Sequence, residues 1–130
     1  MSVPAAQNPE PGLVYIVDGD AAVRRSLRFA LGIDGFTVRT DANAGSFLRR
    51  DDIPAHACLV VDHHLVDMSG LDLIERLRLR GWTMPVILTV TNPSSALVRR
   101  AASSGIALVE KPLLGTALLD HIRAALSASA

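Results

Sequence analysis

Five short apolar runs alternate along this chain with five longer stretches in which apolar residues recur every three or four positions. A short apolar run rich in β-branched residues suits a strand, and three-to-four spacing gives a helix one apolar face. The alternation predicts a βα repeat with strands at Leu13 to Val17, Phe36 to Arg39, Ala57 to Val61, Val86 to Val90 and Ile106 to Val109. Helices are expected to begin near Asp20, Asn43, Gly70, Ser94 and Leu114, the last running to about Leu126. In the first helix Val23, Leu27, Ala30 and Leu31 form one face, with Arg24, Arg25 and Arg28 opposite. Ser69 and Ser94 sit where N-caps are wanted, and Gly32 or Gly35, Gly81 and Gly105 punctuate helix ends.

The first and third strands are almost wholly apolar, as strands covered on both faces by helices must be, whereas Phe36-Thr37-Val38-Arg39 alternates like an edge strand. These features predict an α/β fold: a doubly wound, five-stranded parallel sheet in the flavodoxin-like order 2-1-3-4-5, with five helices. Such sheets place ligands outside the carboxyl ends of their strands.

Length sets the domain count, since 130 residues suffice for one compact domain and fall short of two. Residues 13–127 are expected to form it, residues 1–12 a disordered lead and residues 128–130 a tail. The lead carries Pro4, Pro9 and Pro11 without a basic start or an apolar stretch, so it does not read as a signal peptide. No apolar run approaches the roughly 20 residues that span a bilayer. A soluble, cytoplasmic protein is expected. Thirteen basic residues balance thirteen acidic ones, leaving no overall field for nucleic acid or an anionic membrane. The one cysteine, Cys58, lies within an apolar run and reads as a buried strand residue.

At the strand ends the sequence brings Asp18 after the first strand, Asp62 after the third, threonines at the tip of the fourth and Lys111 after the fifth. Two carboxylates can hold Mg²⁺ with water and phosphate oxygens, a lysine can neutralise a phosphoryl group, and an aspartate can act as nucleophile. Val14-Tyr15-Ile16-Val17-Asp18, Leu59-Val60-Val61-Asp62, Asp67-Met68-Ser69-Gly70-Leu71, Met84-Pro85-Val86-Ile87-Leu88 and Val109-Glu110-Lys111-Pro112 follow in that order. In this pattern the chain resembles the receiver domains of bacterial two-component response regulators, especially the FixJ class.

The resemblance implies phosphorelay signalling in which Asp62 accepts a phosphoryl group as an acyl phosphate. Mg²⁺ would be held by Asp18, Asp62 and the backbone carbonyl of His64, and Lys111 would stabilise the transferred charge. The Lys111–Pro112 peptide bond, usually cis in the family, would aim the amine. Self-phosphorylation and dephosphorylation are the most the chain would catalyse. Its partners would be a histidine kinase or phosphotransfer protein and a downstream or fused output domain. The last strand–helix unit, the family's usual dimer surface, would serve a homodimer; no direct contact with nucleic acid or membrane is expected. Too little of this sequence follows the last helix for a DNA-binding output domain, so the chain is expected to be either a single-domain regulator or a fragment of a longer one.

Several positions depart from the family pattern. Gly19 stands where a second acid usually ligates the metal, which predicts weak Mg²⁺ binding. Asp20 reads as the N-cap of the first helix, and Gly19 suits a turn with unusual dihedrals. The switch threonine position falls on Val90, so Thr89 or Thr91 would supply the phosphoryl-binding hydroxyl only after a change of register. The aromatic switch position is Leu108, and Val66 replaces a common proline. His63 and His64 raise the idea of a transition-metal site beside Asp62, but no third histidine has matching spacing; His56 and His121 have only structural readings. A pseudo-receiver, used as a phosphorylation-independent interaction or dimerisation module, is the alternative. A nucleotide or flavin enzyme is set aside because Asp18-Gly19-Asp20-Ala21 offers no glycine-rich phosphate cradle.

Overall fold

A computed structural model describes residues 12–54, 56–113 and 116–128. The elements run β1 (Leu13–Val17), α1 (Ala21–Ile33), β2 (Thr37–Asp41), α2 (Ala44–Leu48), β3 (Ala57–Asp62), α3 (Gly70–Leu79), β4 (Val86–Val90), α4 (Ser95–Ser103), β5 (Ala107–Glu110) and α5 (Ala117–Ala128). All strands are parallel and their order is β2-β1-β3-β4-β5, as the apolar pattern predicts. β1, β3 and β4 are the buried inner strands, and β2 and β5 lie at the edges.

Alternation along each strand divides the core into two layers. Tyr15, Val17, Leu59, Val61, Leu88 and Val90 pack with Phe47 of α2, Leu71, Leu73, Ile74 and Leu77 of α3, and Leu97 and Ala101 of α4. Val14, Ile16, Cys58, Val60, Ile87 and Val109 pack on the other face with Leu31 of α1 and Leu118 and Ile122 of α5. Each large aliphatic side chain so buried contributes about 1.5–3 kcal/mol of transfer free energy. Burial in α1 is narrower than its sequence face implies. Leu31 is buried and Val23 and Leu27 are half-buried, but Ala30 is exposed, because only a thin strip of the helix meets the sheet.

Two strands begin one residue later than the sequence pattern places them, and both end later. At three helix ends a glycine with positive φ is followed by an apolar residue whose N–H returns five residues back: Phe36 to Leu31, Trp82 to Leu77 and Ile106 to Ala101. These are helix-closing motifs in which the apolar residue seals the last turn. Phe36 and Ile106 are therefore spent on closing α1 and α4, and pairing starts at Thr37 and Ala107. α5 starts at Ala117, later than expected; Leu114, residues 1–11 and residues 129–130 lie outside the described residues. Gly12 accepts a hydrogen bond from the Thr37 N–H at 3.0 Å. No helix among the described residues is long and apolar enough to cross a membrane.

Candidate functional site

The strand ladder continues one step past the strands and fixes the site's backbone. The N–H of Asp18 donates to the Asp41 carbonyl (3.1 Å), that of His63 to Thr89 (2.9 Å) and that of Lys111 to Val90 (2.7 Å). Three charged side chains converge above this edge. Lys111 Nζ lies 2.8 Å from Asp18 Oδ2 and 3.4 Å from Asp62 Oδ2. Asp18 is 2% exposed and Asp62 8%, so both carboxylates depend on protein donors for solvation. Asp18 Oδ1 accepts the Asp20 N–H at 2.9 Å, and Asp62 Oδ1 accepts the His64 N–H at 3.3 Å. Burial by itself lowers the Lys111 pKa. The hydrogen bond and charge of Asp18, joined by Asp62, outweigh that effect and hold the ammonium above the usual lysine range. The Lys111–Pro112 peptide bond is cis.

Asp20 caps α1, its Oδ1 accepting the Ala22 N–H at 2.9 Å, and so is committed to the helix. Gly19 does not have a positive φ, which corrects the expectation that its backbone needs glycine. A Cβ there would meet only the Ala42 carbonyl oxygen, at 3.7 Å, so a side chain fits. The space opens into a cleft of about 580 Å³ lined by Gly19, Ala42, Asn43, His63, His64, Leu65, Val66 and Ser69.

β4 keeps the register that pairs Asp62 with Thr89. Val90 is 1% exposed within the core, Thr89 is buried with its hydroxyl donating to the Val61 carbonyl at 3.5 Å, and Thr91 is exposed beyond the strand. The structure thus brings Asp18, Asp62 and Lys111 together and gives neither threonine a bond to them. Leu108 is half-buried beside the core, and Val66 stands exposed on the loop after β3.

The His63 and His64 rings meet edge to face, with centroids 5.3 Å apart. Burial lowers the His63 pKa, and His64 adds to this against the pull of Asp62 and Asp72. Among the described residues no group of three or more His, Cys, Asp or Glu is arranged to hold a metal ion. A Mg²⁺ site here would rest instead on two carboxylates, Asp18 and Asp62, and a backbone carbonyl, that of His64. These are the hard oxygen donors that the ion prefers, but fewer than a site with an acid at position 19 would offer. The donor chemistry fits a weakly held ion with much of its water retained.

Contacts that the sequence pattern does not flag complete the surroundings. Arg24 of α1 folds back so that Nη1 donates to the Asp18 carbonyl at 2.7 Å. The Asp67 carboxylate accepts the N–H groups of Ala44 (3.1 Å) and Gly45 (2.8 Å) at the start of α2. Asp41 is buried and accepts from Arg50 Nε (2.8 Å) and the Ser46 hydroxyl (2.6 Å). Asp67 lies within a run that carries the family resemblance, whereas Arg24 and Asp41 had no local signal.

Comparison with known proteins matches residues 14–123 to the response regulator receiver domain. The transcriptional regulatory protein FixJ of Azorhizobium caulinodans is 35% identical over 123 residues, covering 94% of this chain and 58% of that protein. The transcriptional regulatory protein TdiR of Thauera aromatica is 32% identical over 124 residues, covering 95% of this chain and 55% of that protein. The crystal structure of FixJ-N superposes with a TM-score of 0.79 at 31% identity, covering 88% of this chain and 93% of that one. The chain therefore spans little more than half the length of these two curated relatives.

Proposed function

Because the chain belongs to the response regulator receiver domains, in their FixJ class, we propose that it receives a phosphoryl group on Asp62 and passes the signal on by the change that follows. The observation that supports this reading is the single ammonium of Lys111 set between Asp18 and Asp62. One carboxylate oxygen of Asp62 attacks the donor's phosphorus, and the P–N bond to a phosphohistidine breaks with its electron pair going to the imidazole nitrogen. The product is an acyl phosphate, and hydrolysis returns the carboxylate and inorganic phosphate. Lys111, positioned by Asp18, neutralises the phosphoryl oxygens. Mg²⁺, when bound, supplies further charge neutralisation, and Asp18, Asp62 and the His64 carbonyl would hold it.

On this reading the donor is a histidine kinase or phosphotransfer protein in the cytoplasm. The recipient is a downstream or fused output domain, with the β5–α5 unit available for a homodimer and no direct contact with nucleic acid or membrane. The chain turns over no metabolite beyond its own phosphorylation and dephosphorylation.

Gly19 and the burial of Val90 favour a second reading, a pseudo-receiver that works as an interaction module without phosphorylation. Intact-mass measurement with acetyl phosphate and Mg²⁺ on wild type, Gly19→Asp and Asp62→Asn separates the two. A phosphoryl mass gained by wild type and abolished by Asp62→Asn supports the active receiver; mass gained by Gly19→Asp alone supports the pseudo-receiver.

A further inference from the structure

The loop from His63 to Ser69 is closed at its base by its own backbone. Gly70 N–H donates to the His63 carbonyl at 2.9 Å, His64 and Ser69 form an antiparallel bridge, and Ser69 caps α3. Its far side leans on a different element. Asp67 donates no proton of its own to this contact; its two oxygens accept the first two N–H groups of α2, from Ala44 at 3.1 Å and Gly45 at 2.8 Å. Asn43 takes the third, from Ser46, at 2.8 Å. A helix of five residues leaves its first N–H groups without internal partners and has little stability alone, so these bonds hold it in place. Gly45 is fitted to the contact, since a Cβ there would stand 3.3 Å from Asp67 Oδ2. Backbone hydrogen bonds, that of Gly45 foremost, hold the Asp67 carboxyl below the usual carboxylate range.

The two walls joined in this way are those of the cleft beside Gly19 and His63, the residues that follow Asp18 and Asp62 in the chain. Ala42 and Asn43 lead into α2 on one side, and His64, Leu65 and Val66 stand on the other. We infer that Asp67 is a positioning residue for phosphoryl transfer, a rivet that fixes the spacing of the cleft and the place of the His64 backbone beside Asp62. The inference rests on the receiver reading above. Because the rivet acts on geometry and not on donor affinity, its removal acts on the rate at saturating donor.

The test follows acyl phosphate formation by intact mass, across acetyl phosphate concentrations in Mg²⁺, for the full chain and for Asp67→Ala and Asp67→Asn. Hydrogen exchange at Ala44, Gly45 and His64 is read on the same samples. Asp67→Ala is expected to lower the saturating rate about ten-fold with little change in the half-saturating concentration, and to speed exchange at all three amides. Asp67→Asn, which keeps one acceptor oxygen, is expected to recover part of both. An Asp67→Ala rate equal to wild type, or a loss matching only its unfolded fraction, would overturn the inference while leaving the receiver reading intact. A wild type that gains no phosphoryl mass would overturn the receiver reading and this inference with it.

Discussion

Lys111 and Asp18 are separated by 93 residues of sequence, and their Nζ and Oδ2 atoms are 2.8 Å apart in the fold. Lys111 is also the only lysine in the chain. Replacing it with alanine leaves two buried carboxylates without their shared counter-ion and is expected to cost about 2 kcal/mol, read by urea unfolding at neutral pH. The sign with pH follows from the raised lysine pKa. The contribution is complete below the unfolded lysine pKa and declines as alkaline pH rises through the folded value. Wild type should lose this increment on alkaline titration and Lys111→Ala should not.

Gly19→Asp is expected to fold like wild type, because its backbone does not need glycine and the nearest atom to a Cβ is 3.7 Å away. A third carboxylate raises repulsion in the absence of a cation and adds an oxygen donor in its presence. Calorimetric titration should show Mg²⁺ affinity about ten-fold tighter than wild type, equivalent to roughly 1.4 kcal/mol. Equal affinities would show that position 19 does not reach the ion.

Gly70 has no such freedom. A Cβ there would stand 2.5 Å from the Asp62 carbonyl oxygen, a backbone atom of the site itself. Gly70→Ala must push α3 away from β3 and is expected to cost about 2–3 kcal/mol in thermal or chemical unfolding.

Cys58 is fully buried in β3, and burial pushes its thiol up to about 12. A thiol-specific reagent at pH 8 is expected to leave it unmodified in the native protein and to react once denaturant exposes it. Rapid native labelling would contradict the inner position of β3.

Trp82 precedes β4 and packs edge to face on Phe47, with centroids 5.7 Å apart, at the end of the sheet opposite Asp62. A five-residue strand separates it from the site by roughly 15 Å. Mg²⁺ is therefore expected to leave tryptophan fluorescence nearly unchanged. The NMR signal of the lone lysine side chain, by contrast, should shift.

The helix caps were legible because their signals are local. Asp20, Ser69 and Ser94 each accept an N–H two or three residues on, a contact that needs no distant partner. The starts of β2 and β5 were misplaced because Phe36 and Ile106 are apolar in either role. Whether such a residue pairs with a neighbouring strand or seals a helix depends on where its N–H finds an acceptor. Gly19 shows the same limit: the missing carboxylate was plain in the sequence, and the ordinary backbone conformation was not.

The sequence alone determined the α/β repeat, the inner strands and the three charged residues at strand ends, because hydrophobic period and chain order fix which residues end up at one edge of a parallel sheet. Tertiary structure decided what those residues touch. The sharing of Lys111 between Asp18 and Asp62, the turning of the Thr89 hydroxyl toward Val61 and the hold of Asp67 on α2 join separate chain segments. Distances of a few ångströms between such segments arise from packing, and no local pattern of residues encodes them.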